Sequence, residues 1–265
     1  MKIRIKFKKW GCMKFIGHLD MLRYFQKAMR RAEIDICYSE GFSPHQIMSF
    51  AAPLGVGITS DGEYFDIEVN STTSTKEALQ ALNATMVDGV EVTGYVKLPD
   101  NAKTAMSIVT AADYYLTFKE QTSYSITNLD NLTQNKVNDK TDLTYQNNHT
   151  SPYSVDEWNE KINECFTSKD TFTIIKKTKK SEKEIDLKPL VYEIKAVERD
   201  GKPAIFICVS TGSTTNIKPE LVLASIYEKL GIKYDETAIA IHRNDVYTAD
   251  ENGAFISLLE QGTII

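Results

Sequence analysis

Residues 2–31 constrain the architecture of this chain more than any other stretch. From Lys2 to Lys8 polar and apolar residues alternate without a break, with Ile3, Ile5 and Phe7 on one side and Lys2, Arg4, Lys6 and Lys8 on the other. A period of two belongs to a strand with one buried face. Beyond Gly11 and Gly17 the period changes, and Leu19, Leu22, Phe25, Met29 and Ala32 recur at helical spacing. Asp20 falls in the first turn, where the helix dipole favours an acid. A half-buried strand running into an amphipathic helix calls for a sheet with helices laid on one face.

The remainder of the first half extends that pattern. A short strand is predicted at 34–38, a loop at 39–45 and a second extended piece at 47–50. A turn at Ser60-Asp61-Gly62 leads to a strand in which Phe65, Ile67 and Val69 alternate with Tyr64, Asp66 and Glu68. Ser74 and Glu77 have capping-box spacing and open a helix bearing Leu79, Leu82 and Met86. A strand at 90–96 closes the unit. The order β-α-β-β-α-β is that of a ferredoxin-like fold.

The second half repeats the order. Strands are expected at 112–118, 171–177, 190–197, 204–209 and 237–241. One helix follows a second capping box, Ser154 and Glu157, and another starts at Pro219 and ends at Gly231. Residues 121–152 are polar, without aliphatic clusters, and read as an inserted loop. The expected fold is therefore α+β, two tandem ferredoxin-like domains. The first spans 1–98 and carries a basic surface; the second spans 99–265 and carries the polar insertion.

Charge is distributed unevenly over this pattern. The first 31 residues hold ten Lys or Arg and one acid, a local +9 in a chain whose total is −5. Such asymmetry points to a polyanionic partner. Arg23, Lys27, Arg30 and Arg31 share the helix face opposite its apolar stripe, and the alternation places Lys6 and Lys8 on the open face of the strand. Lys14, Phe15, Ser39, Phe42 and Ser43 lie in the adjoining turn and loop. Cations interleaved with aromatic rings suit the phosphates and unpaired bases of RNA.

His18 and His45, with Asp20, are the candidate catalytic groups, since a histidine pair can serve as base and acid in phosphodiester cleavage. A metal-independent endoribonuclease is thus the alternative to a binding protein. No Walker or dinucleotide-binding pattern is present, so no cofactor is expected. Cys12, Cys37, Cys165 and Cys208 form no CxxC pair, and no metal is expected. No apolar run reaches the roughly 18 residues of a membrane span, and no export signal is readable. A cytoplasmic chain without a membrane association, with reduced thiols, is the expectation.

Several strings carry a family likeness. They are Phe15-Ile16-Gly17-His18-Leu19-Asp20, Tyr38-Ser39-Glu40-Gly41-Phe42-Ser43-Pro44-His45, Pro53-Leu54-Gly55-Val56-Gly57 and Gly62-Glu63-Tyr64-Phe65-Asp66-Ile67-Glu68. With Lys183-Glu184-Ile185-Asp186-Leu187-Lys188-Pro189 and Ile217-Lys218-Pro219-Glu220-Leu221, the chain resembles the radical-SAM-associated protein family of unknown function. The resemblance implies an accessory protein encoded beside, or fused to, a radical SAM enzyme, often near ribosomal-protein and ribonuclease genes. It marks Lys14, His18, Asp20, Arg23, Ser39, Gly41, Ser43, Pro44, His45 and Glu63 as a functional surface. Lacking a cysteine triplet for an iron–sulfur cluster, the chain would be a companion to the radical enzyme in tRNA or rRNA modification.

Overall fold

A computed structural model describes residues 1–119, 151–167, 171–177, 182–212 and 215–265. The strands are β1 (Lys2–Lys9), β2 (Met48–Phe50), β3 (Thr59–Glu68), β4 (Val90–Lys97), β5 (Ala111–Phe118), β6 (Thr173–Lys177), β7 (Glu182–Asp186), β8 (Val191–Arg199), β9 (Lys202–Ser210), β10 (Ile239–Ala249) and β11 (Phe255–Ser257). The helices are α1 (His18–Arg31), α2 (Thr75–Asn83), α3 (Ala105–Ile108), α4 (Val155–Thr167) and α5 (Pro219–Lys229). The α+β class is as expected, and most of the polar insertion lies outside the described residues.

All strands except the β6–β7 hairpin join one sheet in the order β4-β1-β3-β10-β5-β9-β8, with β2 beside β3 and β11 beside β10. Within the first half the order is β4-β1-β3-β2; within the second it is β10-β5-β9-β8, antiparallel throughout. The two quartets are continuous, because the start of β3 pairs in parallel with β10 through His242↔Thr59 and Arg243↔Ser60. Residues 60–62 therefore belong to β3 and make no turn. Gly62 is required there: a Cβ would meet the Asp245 Cα at 2.5 Å and the Asn244 carbonyl oxygen at 2.6 Å.

Alternation in β1 buries Ile3, Ile5 and Phe7 against Phe25 and Met29 of α1 and Leu82 of α2. The contacting face of α1 is Met21, Phe25, Ala28 and Met29, and Leu19, expected in the stripe, stands 65 % exposed. Both capping boxes form: Glu77 N donates to Ser74 Oγ at 3.3 Å, and Glu157 N to Ser154 Oγ at 3.3 Å. A second apolar cluster lies beneath β5, β9 and β10, where Trp158 of α4 and Ile226 of α5 are fully buried.

Two further expectations change. The strand at 34–38 reduces to isolated bridges, Ile36↔Val69 and Tyr38↔Gln46. The last main strand, expected at 237–241, runs on to Ala249 because β5 and β11 pair along its length. The chain end then returns to the first half, where the Thr75 amide donates to the Ile265 carbonyl at 2.7 Å.

Candidate nucleic-acid interface

The strand cations do not form an open basic face. Arg4 is fully buried, its guanidinium forked on Asp66 at 2.8 and 3.0 Å and donating to the Leu258 carbonyl and Gln261 Oε1, each at 3.1 Å. Lys6 Nζ lies 2.7 Å from Asp245 Oδ2, and Lys8 Nζ 3.7 Å from Asp61 Oδ1. Carboxylates from β3 and β10 thus pair with these three cations. The reason is topological: the C-terminal return lies over part of the face that local alternation leaves open, and β3 beside β1 and β10 beyond it supply the acids.

The helix behaves as its spacing predicts. Arg23, Lys27, Arg30 and Arg31 are exposed together on the side of α1 away from the sheet. Arg23 pairs with Asp20 at 3.2 Å and Arg31 donates to the Thr85 carbonyl at 3.1 Å. Lys27 and Arg30 face no carboxylate among the described residues. Gln46 Nε2 donates to the Gln26 carbonyl at 3.1 Å, fastening the base of loop 39–45 to the flank of this helix. That loop projects a fully exposed Phe42, followed by exposed Ser43 and His45. Gly41 takes φ +105°, a left-handed conformation that glycine accepts without strain. Phe15 is exposed at the other end of α1, with Lys14 Nζ 5.1 Å from its ring.

The candidate catalytic groups have separate partners. His18 meets the Phe50 ring edge-on at 5.2 Å. His45 Nδ1 lies 2.9 Å from Ser39 Oγ, which also accepts from the His45 amide at 3.1 Å. Asp20 is turned to Arg23. Among the described residues these three share no hydrogen bond, and no group of three His, Cys, Asp or Glu is arranged to hold a metal ion. All four cysteines are free thiols.

Sequence reasoning missed a buried ionic cluster at the seam between β3 and β10. Arg243 and Glu63 are almost wholly enclosed, with Nε 2.8 Å from Oε1 and Nη2 also on the carboxylate. Arg243 Nη2 donates to the Ala52 carbonyl at 2.7 Å. Burial, the largest influence, opposes the charge on Arg243, yet the Glu63 carboxylate and the Tyr114 oxygen together more than offset it and the pKa rises. Lys9, 2 % exposed, is lowered by burial and donates to the Ile16 carbonyl at 2.7 Å. Its only signal was Glu63, marked by the family likeness. A cleft of ≈ 290 Å³ opens beside Arg243, and Pro53, Leu54, Ile217 and Pro219 bring two of the resembling strings into one wall.

His242 bridges the seam on the other face, with Nδ1 2.9 Å from Thr59 Oγ1 and Nε2 3.2 Å from Asp61 Oδ2. Burial lowers its pKa from 6.5, against the pull of Asp61. Folding thus favours the neutral ring. The contribution is fully present above pH 6.5 and is lost as pH falls toward the lower folded value. Denaturant titrations of wild type and His242→Gln at stepped pH should show the variant losing less stability across that acidic window; parallel curves would contradict this.

In the described residues no helix is long and apolar enough to cross a membrane. A family model described as an uncharacterized protein conserved in bacteria, DUF2344, matches residues 2–219. No curated protein matches the chain.

Proposed function

We propose that this chain, which belongs to the bacterial family DUF2344, binds RNA as a non-catalytic accessory protein. The observation that carries the reading is the cationic face of α1. Of the ten cations near the start, Arg4 and Lys6 of the strand are taken up by internal carboxylates, whereas Arg23, Lys27, Arg30 and Arg31 remain turned to solvent, with Phe42 exposed on the loop fastened to the same helix. Cations that neutralise phosphates give affinity without sequence preference, and an exposed ring adds stacking on unpaired bases. The two quartets, each with the strand order of a ferredoxin-like unit, suit single-stranded or looped RNA, which is read through splayed bases. The resemblance supplies the partner, a radical SAM enzyme acting on tRNA or rRNA.

Cleavage by His18 and His45 has less behind it, since one ring packs on Phe50 and the other is engaged by Ser39. Filter binding of short RNAs should show micromolar or tighter affinity that weakens steeply with salt, and the RNA should be recovered intact. His18→Ala and His45→Ala should bind as wild type does. Absence of salt-dependent binding sinks the proposal, and cleavage lost in both variants returns the enzyme reading. Retention of a radical SAM protein only by an acidic surface, in nuclease-treated lysate, would replace RNA by a protein partner.

A further inference from the structure

The register of the sheet aligns five side chains from five neighbouring strands, on the face opposite α4 and α5. Lys195 of β8 is paired with Phe206 of β9, Phe206 with Tyr115 of β5, Tyr115 with His242 of β10, and His242 with Thr59 of β3. Their neighbours Ile205, Ile207, Tyr114 and Leu116 point the other way, into the core. At about 4.8 Å per strand the row is about 19 Å long. It crosses the seam, so neither half contains it alone.

Three of the five carry flat rings. Tyr115 and Phe206 lie with centroids 5.4 Å apart, on the two central strands of the second quartet, and both are half-buried. A cation stands over each: the Arg199 guanidinium 4.3 Å from the Tyr115 ring centre, and Lys195 Nζ, paired with Glu193 at 2.6 Å, 5.2 Å from that of Phe206. Arg199 Nη1 is buried without a hydrogen-bond partner. An unanswered guanidinium nitrogen above an aromatic ring is suited to an anionic oxygen next to a planar group. A nucleotide supplies both within one residue.

We infer that the transverse row Phe206–Tyr115–His242 is a base-stacking platform for single-stranded RNA, with Arg199 receiving a backbone phosphate. The inference rests on the RNA-binding reading and adds a second contact surface to it. The α1 face supplies charge without stacking on this sheet; the platform requires bases. Paired rings on the central strands of a four-stranded sheet can hold two or three unstacked bases.

The test compares a short oligouridine with an abasic ribose-phosphate oligomer of equal length, bound to the full chain. The double variant Tyr115→Ala/Phe206→Ala should lose about tenfold or more in affinity for oligouridine. It should bind the abasic oligomer as wild type does, and Tyr115→Phe, which keeps the ring, should match wild type with both probes. Thermal unfolding checks that the variants fold. If the double variant fails to fold, photocrosslinking of wild type with 4-thiouridine RNA decides, with adducts expected in β5 or β9. Unchanged oligouridine affinity in a folded double variant, or adducts confined to α1 and loop 39–45, overturns the platform and leaves the RNA reading standing. Failure of wild type to bind any RNA overturns both.

Discussion

Replacing Glu63 with glutamine lowers the stability of the fold by about 3–5 kcal/mol, the cost of leaving a buried charge without its counter-ion. Glu63 is the acid that Arg243 and Lys9 share. Arg243 would keep the Ala52 carbonyl, its contact with Tyr114 and one neutral amide oxygen, and Lys9 only the Ile16 carbonyl. At about 2–4 °C per kcal/mol for a chain of this size, the melting temperature falls by about 10 °C. Arg243→Met strands the carboxylate instead and is similarly damaging. The double variant Glu63→Gln/Arg243→Met should lose less than either single change, because Lys9 alone is left without its acid. Lys9 gives a further signature. Its pKa is already lowered by burial, and without Glu63 the opposing attraction disappears. Since native Lys9 then prefers to be neutral, the stability of Glu63→Gln should recover as pH rises toward 10.5. Denaturant midpoints measured across pH check both statements; a loss under about 1 kcal/mol would place the pair among weakly contributing surface bridges.

Arg4→Met should cost nearly as much and act at a different place. The Arg4 guanidinium ties β1 to Asp66 of β3, to the C-terminal turn at Leu258 and Gln261, and to the Lys103 carbonyl at 3.3 Å. Methionine retains the apolar stem and removes every one of these bonds. Asp66 keeps the Ala105 amide at 2.6 Å, which answers one oxygen. We expect a loss of about 3–4 kcal/mol, within the range for breaking a buried pair. Proteolytic cleavage near residues 255–265 should become faster. Arg4→Lys should rescue little, since one ammonium cannot reproduce a fork engaged on three sides. Wild-type stability in either variant would mean that the C-terminal turn is held independently of Arg4.

These two sites mark where local pattern stopped being informative. Alternation correctly gives β1 and its buried Ile3, Ile5 and Phe7, because a pleated strand exposes its faces in turn. It cannot show what lies on the polar side, and the acids that meet Arg4, Lys6 and Lys8 stand far along the chain at Asp66, Asp245 and Asp61. Lys9 keeps the parity of Ile3, Ile5 and Phe7 and is buried with them, a charge on the apolar face whose acid, Glu63, lies far along the chain. The spacing of Arg23, Lys27, Arg30 and Arg31 was legible since helical periodicity alone fixes a common face. Ser60-Asp61-Gly62 has turn composition, yet the glycine serves the close passage of β10. The row through Phe206, Tyr115 and His242 is a product of long-range register, to which no window of sequence gives access.

The central claim is that the cations of α1, and not those of β1, face the nucleic acid. The slope of log Kd for a single-stranded RNA against log salt concentration reads this directly, as each phosphate neutralised contributes about 0.7 to its magnitude. Removing Arg23, Lys27, Arg30 and Arg31 as alanines should flatten the slope by about 3, whereas Lys6→Ala/Lys8→Ala should leave it within about 0.5 of wild type. Flattening in the strand variant with an unchanged slope in the helix variant would contradict the account.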